Sequence, residues 1–167
     1  MWQAAIPLAP GKYKLEIAAK DLVSGNLNRF ELALDVPRFD EAELGASSLI
    51  LADSIAPLPR KEVGGSLFAI GDLKVRPRVT AQFLASEKMG IYFEIYDAAS
   101  SGHIAYEISN RQTGQKALDF SEDFGKVTHI EKLLSLRTFA PGDYRLKIRI
   151  DDGGHAVERA AEFSVVK

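Results

Sequence analysis

The side chains that could do chemistry fall into four groups. Tyr92 and Tyr96 share one face of the apolar run 91–96, with Glu94 between them. Exposed rings at that spacing would stack on a sugar, and Trp2 and Phe120 are the other rings that could join them. The competing use is burial, because a central strand of a sandwich can cover both of its faces. Two rows are basic: Lys74, Arg76 and Arg78 alternate along one run, and Arg145, Lys147 and Arg149 along another. Side by side they would form a patch for an anionic glycan, a lipid headgroup or nucleic acid. With Asp and Glu on the neighbouring strands they would be an ordinary solvated face. Asp151, Asp152 and Asp97 could converge at one end of a sandwich as oxygen ligands for calcium. The residues favour the plainer role of turn formers, since no EF-hand spacing accompanies them.

Histidines at 103, 129 and 155 recur every 26 residues, and two of them sit beside turn signals rather than at converging positions. No G-x-S-x-G elbow, G-x-G-x-x-G loop, phosphate-binding loop or H-E-x-x-H pair occurs. The expectation is a non-enzymatic protein with no catalytic residues, no cofactor and no metal.

Composition narrows the classes further. The 167 residues carry 21 Lys+Arg against 23 Asp+Glu, a net charge of −2, and this balance argues against a nucleic-acid partner. Cysteine is absent, which removes disulfides, thiolate metal sites and thiol nucleophiles without fixing a compartment. No run is long and apolar enough for a membrane helix, and the opening MWQAAIPLAPG lacks the basic start of a signal peptide.

What must position these residues is a set of strands, and the clearest of them occur twice. Ala-Pro-Gly-Lys-Tyr-Lys-Leu-Glu-Ile from Ala9 matches Ala-Pro-Gly-Asp-Tyr-Arg-Leu-Lys-Ile from Ala140, at an offset of 131. In each copy apolar residues alternate with charged or small ones: Tyr13, Leu15, Ile17 and Ala19 in the first, Tyr144, Leu146, Ile148 and Ile150 in the second. The Pro-Gly pair sets a tight turn before each strand. The tyrosine that follows is placed like the tyrosine corner of immunoglobulin-like sandwiches, whose hydroxyl bonds back to the turn. A turn and a return strand follow each copy, Phe30, Leu32, Leu34 and Val36 in one and Ala161, Phe163 and Val165 in the other, so each reads as a hairpin.

Between them, further strands are expected at 73–80, 91–96, 103–109, 116–120 and 127–136, with turn signals every 8 to 12 residues. The fold expected is an all-β, immunoglobulin-like (Fn3-like) antiparallel β-sandwich with an additional N-terminal β-hairpin. Residues 66–167 would form the complete sandwich, and 38–65 a linker with one short strand near 47–52. Residues 1–37 would be the terminal hairpin of a preceding β-sandwich cut short. Two strands alone are marginal in water, so that hairpin needs a cover, from the main sandwich or from a second chain in a homodimer.

The segments Val36-Pro-Arg-Phe39, Ser48-Leu-Ile-Leu-Ala-Asp53, Val75-Arg-Pro77 and 91–96, together with the two Pro-Gly-x-Tyr strands, resemble the C-terminal β-sandwich tail of bacterial GWxTD-domain and VWFA-related proteins. The GWxTD tetrad and the von Willebrand metal motif are not in this sequence, so the likeness brings no catalytic residue with it. It implies an accessory module of an exported or envelope-associated bacterial protein. Its partners would be other domains of the same polypeptide or another protein. The alternative is a carbohydrate- or anion-binding module using Tyr92, Tyr96, Lys74, Arg76, Arg78, Arg145, Lys147 and Arg149.

Overall fold

Apolar/charged alternation with few helix formers in register produces strands throughout the described residues. The computed structural model describes residues 4, 6–38, 43–59, 67–98 and 101–167 and contains strands and turns only. Trp2, Phe39 and the Gly64–Gly65 end of the expected linker lie outside the described residues. The chain divides into two compact units, residues 1–40 and 41–167.

The first unit is one antiparallel hairpin, β1 (Gly11–Lys20) with β2 (Leu27–Val36). Its register places Tyr13 opposite Leu34, Leu15 opposite Leu32 and Ile17 opposite Phe30, so one face is apolar. The other face carries Lys14, whose ammonium lies 2.7 Å from Glu16 and 3.0 Å from Glu31. Asp21 closes the turn by accepting from the Val23 amide at 2.8 Å and from the Ser24 hydroxyl at 2.7 Å. Those bonds hold its carboxyl below the usual aspartate range.

The second unit packs two sheets face to face in a sandwich-like arrangement. In the first sheet the order is β10 (Lys116–Phe124), β9 (Gly102–Asn110), β12 (Gly142–Asp151), β13 (Ala156–Val166) and β7 (Gln82–Leu84), and only the β13–β7 pair is parallel. The second sheet runs β11 (His129–Ser135), β8 (Lys88–Tyr96), β4 (Ile50–Pro57), β6 (Leu73–Pro77) and β5 (Ala69–Ile70), with β3 (Gly45–Ala46) also on β8. Between the sheets lie Met89, Ile91 and Phe93 from β8 and Ile104, Tyr106 and Ile108 from β9. Leu146, Ile148 and Ile150 from β12 meet them there, all at most 2 % exposed.

The expected linker 38–65 needs correction, because it contains β3 and β4, which pair directly with the central strand β8. Leu51 and Ala52 are buried there, and residues 41 onward belong to the sandwich unit. A one-residue register change between β3 and β4 disguised them in sequence as a short isolated strand. Ser47 fills that irregularity: its amide donates to the Glu94 carbonyl at 3.0 Å and its hydroxyl accepts from the Glu94 amide at 2.9 Å.

The sequence repeat is also a structural repeat. Tyr13 donates to the Ala9 carbonyl and Tyr144 to the Ala140 carbonyl, both at 2.8 Å across a Pro-Gly pair. Gly11 and Gly142 adopt φ of 155° and 158°, where a Cβ would be strained. The pairings also correspond: Gly11↔Val36 with Gly142↔Val165, and Tyr13↔Leu34 with Tyr144↔Phe163.

Candidate functional site

Strand β8 is covered on both faces, and this decides the role of its tyrosines. Its inner residues enter the main core, while Tyr92 on the outer face packs with Ala52, Leu73 and Val75 in a second, smaller core. Tyr92 is 3 % exposed, so its ring is no platform for stacking. Both tyrosines turn their hydroxyls onto the carboxylate between them, Tyr92 at 3.3 Å and Tyr96 at 2.7 Å from Glu94. The His129 ring stacks on Tyr92, with centroids 5.7 Å apart and planes 25° apart. Burial, reinforced by the Glu94 charge, pushes the Tyr92 phenol up and the Tyr96 phenol up to about 12. The cleft above them, about 500 Å³, is lined by Tyr92, Glu94, Tyr96, Asp72, Asp97 and His129. Glu94 and Asp72 were not singled out in the sequence as site residues, although alternation alone puts Glu94 between the tyrosines; His129 was weighed only with the other histidines.

The two basic rows do not meet. Lys74 and Arg76 lie on β6 of the second sheet, with Arg78 just beyond it, while Arg145, Lys147 and Arg149 lie on β12 of the first. A six-cation patch would need β6 beside β12, and the strand order places β4 and β5 beside β6. Arg78 is an internal fastener: it pairs with Asp53, donates to Glu87 at 3.0 Å and to the Gln82 carbonyl at 2.9 Å, and covers the Phe83 ring. Although burial opposes its charge, the bonds to Glu87 and Asp53 outweigh that and raise its pKa. Arg76 lies 3.8 Å from the same Asp53.

On β12, Lys147 meets Glu158 at 3.0 Å, and Arg149 lies 3.3 Å from Asp151 and 3.8 Å from Glu158. Acids on β13 therefore answer most of this row, as the register sets Arg145 opposite Glu162 and Arg149 opposite Glu158. Small residues Ala105, Ser109 and Ala160 leave shallow hollows between these long side chains, about 430 and 590 Å³ in volume.

The loop acids act in turns. Asp151 accepts from the Gly153 amide at 2.9 Å, and Asp152 from the Gly154 and His155 amides at 3.1 and 2.8 Å. Among the described residues no group of three or more His, Asp or Glu is arranged to hold a metal ion. His103 pairs with Asp123 at 2.8 Å and His155 sits in the β12–β13 turn, so the three histidines do not converge.

Two features escaped sequence reading. Arg159 of β13 points inward and crosses between the sheets to donate to the Ala46 carbonyl at 2.6 Å. At the open β10/β11 margin, Glu122 accepts from Tyr106 and from Lys132, each at 2.6 Å. These charges occupy inward positions of the alternation, and that mismatch was the available signal.

Among the described residues, the hairpin exposes large apolar side chains together on one face. Ile17, Phe30 and Leu32 are 39, 57 and 43 % exposed on one face. No helix among the described residues is long and apolar enough to cross a membrane. No protein-family model matches the sequence, and no curated protein is similar to it.

Proposed function

We propose that this chain is a non-enzymatic, immunoglobulin-like β-sandwich module that makes protein contacts within an exported or envelope-associated bacterial assembly. One observation carries the reading. The hairpin β1–β2 repeats the register and tyrosine bond of β12–β13, whose equivalent face is a buried core, yet its own apolar face holds Ile17, Phe30 and Leu32 at 39–57 % exposure. A face patterned for burial and left open is a contact surface. The tyrosine-to-turn bonds and the antiparallel two-sheet architecture support the immunoglobulin-like assignment. The extracytoplasmic placement rests on the resemblance to exported tails.

The test is a photo-cross-linking residue in place of Phe30, activated in the cell that makes the protein, beside a glycan array probed with the purified chain. A protein adduct at position 30 and no retained glycan are expected. A glycan retained by the wild type and lost in Tyr96→Ala, with no protein adduct, would overturn the reading in favour of a carbohydrate-binding module.

A further inference from the structure

We infer that the occupant of the hairpin's apolar face is the same face of a second copy of this chain, so that two hairpins close into a four-stranded, two-layer minimal sandwich. The inference rests on the contact reading above and names its partner.

The kind of cover this face needs is visible in its structural equivalent. In the larger unit, Tyr144, Leu146, Ile148 and Phe163 are buried to 4 % exposure or less against an apolar sheet face built around β8. Tyr13, Leu15, Ile17 and Leu34 hold the corresponding positions of the hairpin. At one position the two copies differ in a telling way: Ile148 is opposite Arg159, which reaches backbone across the sandwich, whereas Ile17 is opposite Phe30. The hairpin has replaced a cross-sheet polar tie with a large ring, a substitution suited to a wholly apolar facing layer.

A second hairpin supplies such a layer. Both of its strands are ten residues long, and its face is apolar along the three central pairs. The charges of Lys14, Glu16 and Glu31 satisfy one another on the opposite side, so face-to-face packing buries no charge. A two-fold axis crossing the strands at the Leu15–Leu32 pair sets Leu32 over its mate, and Phe30 and Ile17 of each copy over the Leu34 and Tyr13 end of the other. Two strands are marginal alone, but four in two layers reach the minimum for independent stability. The face measures about 33 by 10 Å, which is small against the ~800 Å² per partner of a standard interface, so a weak dimer with Kd on the order of 10–100 µM is expected.

The absence of native cysteine makes a direct test available. Light scattering of the full chain from about 1 µM to about 1 mM should show mass rising toward twice 18.3 kDa, and Phe30→Asp with Leu32→Asp should hold it at the monomer. Because that variant could unfold the hairpin instead, single-cysteine chains provide the second arm. Leu32→Cys or Leu15→Cys should be joined to its mate by a short bismaleimide, which spans the gap of about 10 Å between packed layers, at least about tenfold faster than Leu22→Cys in the turn.

A monomer at all concentrations, or equal cross-linking at positions 32, 15 and 22, overturns self-pairing. If the position-30 photo-adduct is then a different protein, the contact reading stands without it. No protein adduct of any kind overturns both.

Discussion

Replacing Lys132 by Met removes one charge from the margin where β10 and β11 bring the two sheets together. The ammonium donates to Glu122 at 2.6 Å and lies 5.6 Å from the ring centres of Tyr106 and Phe120. Methionine preserves the length and apolar stem, so the loss is confined to the charged bond and the cation–π contacts. A hydrogen bond to a charged group contributes about 1.5–3 kcal/mol when well buried. With the two side chains 27 and 32 % exposed, solvent screening reduces this to about 1–2 kcal/mol. The ring contacts add about 0.5 kcal/mol, for a cost of about 1.5–2.5 kcal/mol at pH 7.

The sign of the pH dependence follows from Glu122. Burial opposes its ionisation, but the bonds from Lys132 and Tyr106 outweigh that and hold its carboxyl below 4.5. The pair's contribution is therefore complete above pH 4.5 and fades as pH falls through the lower, folded value. At a pH below that folded value only the ring contacts remain, and the cost of Lys132→Met should shrink to about 0.5 kcal/mol. Urea unfolding of the wild type, Lys132→Met, Glu122→Gln and the double variant at both pH values measures this as a coupling energy. An equal cost at both pH values, or a coupling at pH 7 below about 0.3 kcal/mol, would refute the reasoning.

Three further outcomes are expected. Tyr144→Phe should lower stability by about 1 kcal/mol in urea, because the bond to Ala140 is lost while the ring keeps its packing on Phe139 and Phe163; an unchanged midpoint contradicts this. Gly102→Ala should cost about 1–3 kcal/mol, since the new Cβ would overlap the Phe124 ring and approach the Asp151 carbonyl oxygen at 2.5 Å; wild-type stability would show that the strand pair can part without loss. Burial, helped by the carboxylates they bond, keeps Tyr92, Tyr96 and Tyr106 protonated in alkali, so no more than two of the five tyrosines should ionise in the native protein by about pH 11. Their contribution is whole below pH 10.0 and, for Tyr96, is lost as pH rises to about 12. Absorbance titration showing three or more native phenols ionised by pH 11 would contradict that.

Much of the architecture was legible because period-two alternation is local. The hairpins, the turn at Asn110 and the two-sided character of β8 all follow from residues within ten positions of one another. The Pro-Gly-x-Tyr repeat carried further, since the tyrosine bond spans only four residues and its geometry travels with the motif. Pairing between distant segments was not legible. Nothing near Ile50 announces β8 as its neighbour, and the irregularity at Ser47 broke the alternation that would have marked β3 and β4 as one edge of it.

The basic rows misled for the same reason, because strand order rather than strand composition decides whether two rows form a patch. Glu94 was within reach of the alternation argument. For Arg159, Glu122 and Lys132 alternation could flag a charge at an inward position but not its partner, since each acts across the gap between sheets on a group set by global packing.

The central claim is that contacts are made by the apolar face of the hairpin and not by the charged or tyrosine-bearing faces of the sandwich. A dilution series of amide chemical shifts on the full chain, from about 500 µM to about 10 µM, tests it residue by residue. Shifts confined to Gly11–Lys20 and Leu27–Val36 are expected, with the strands of residues 41–167 unmoved. Shifts that instead map to β9, β10 and β12 would contradict it, whereas an unchanged spectrum would overturn self-pairing alone.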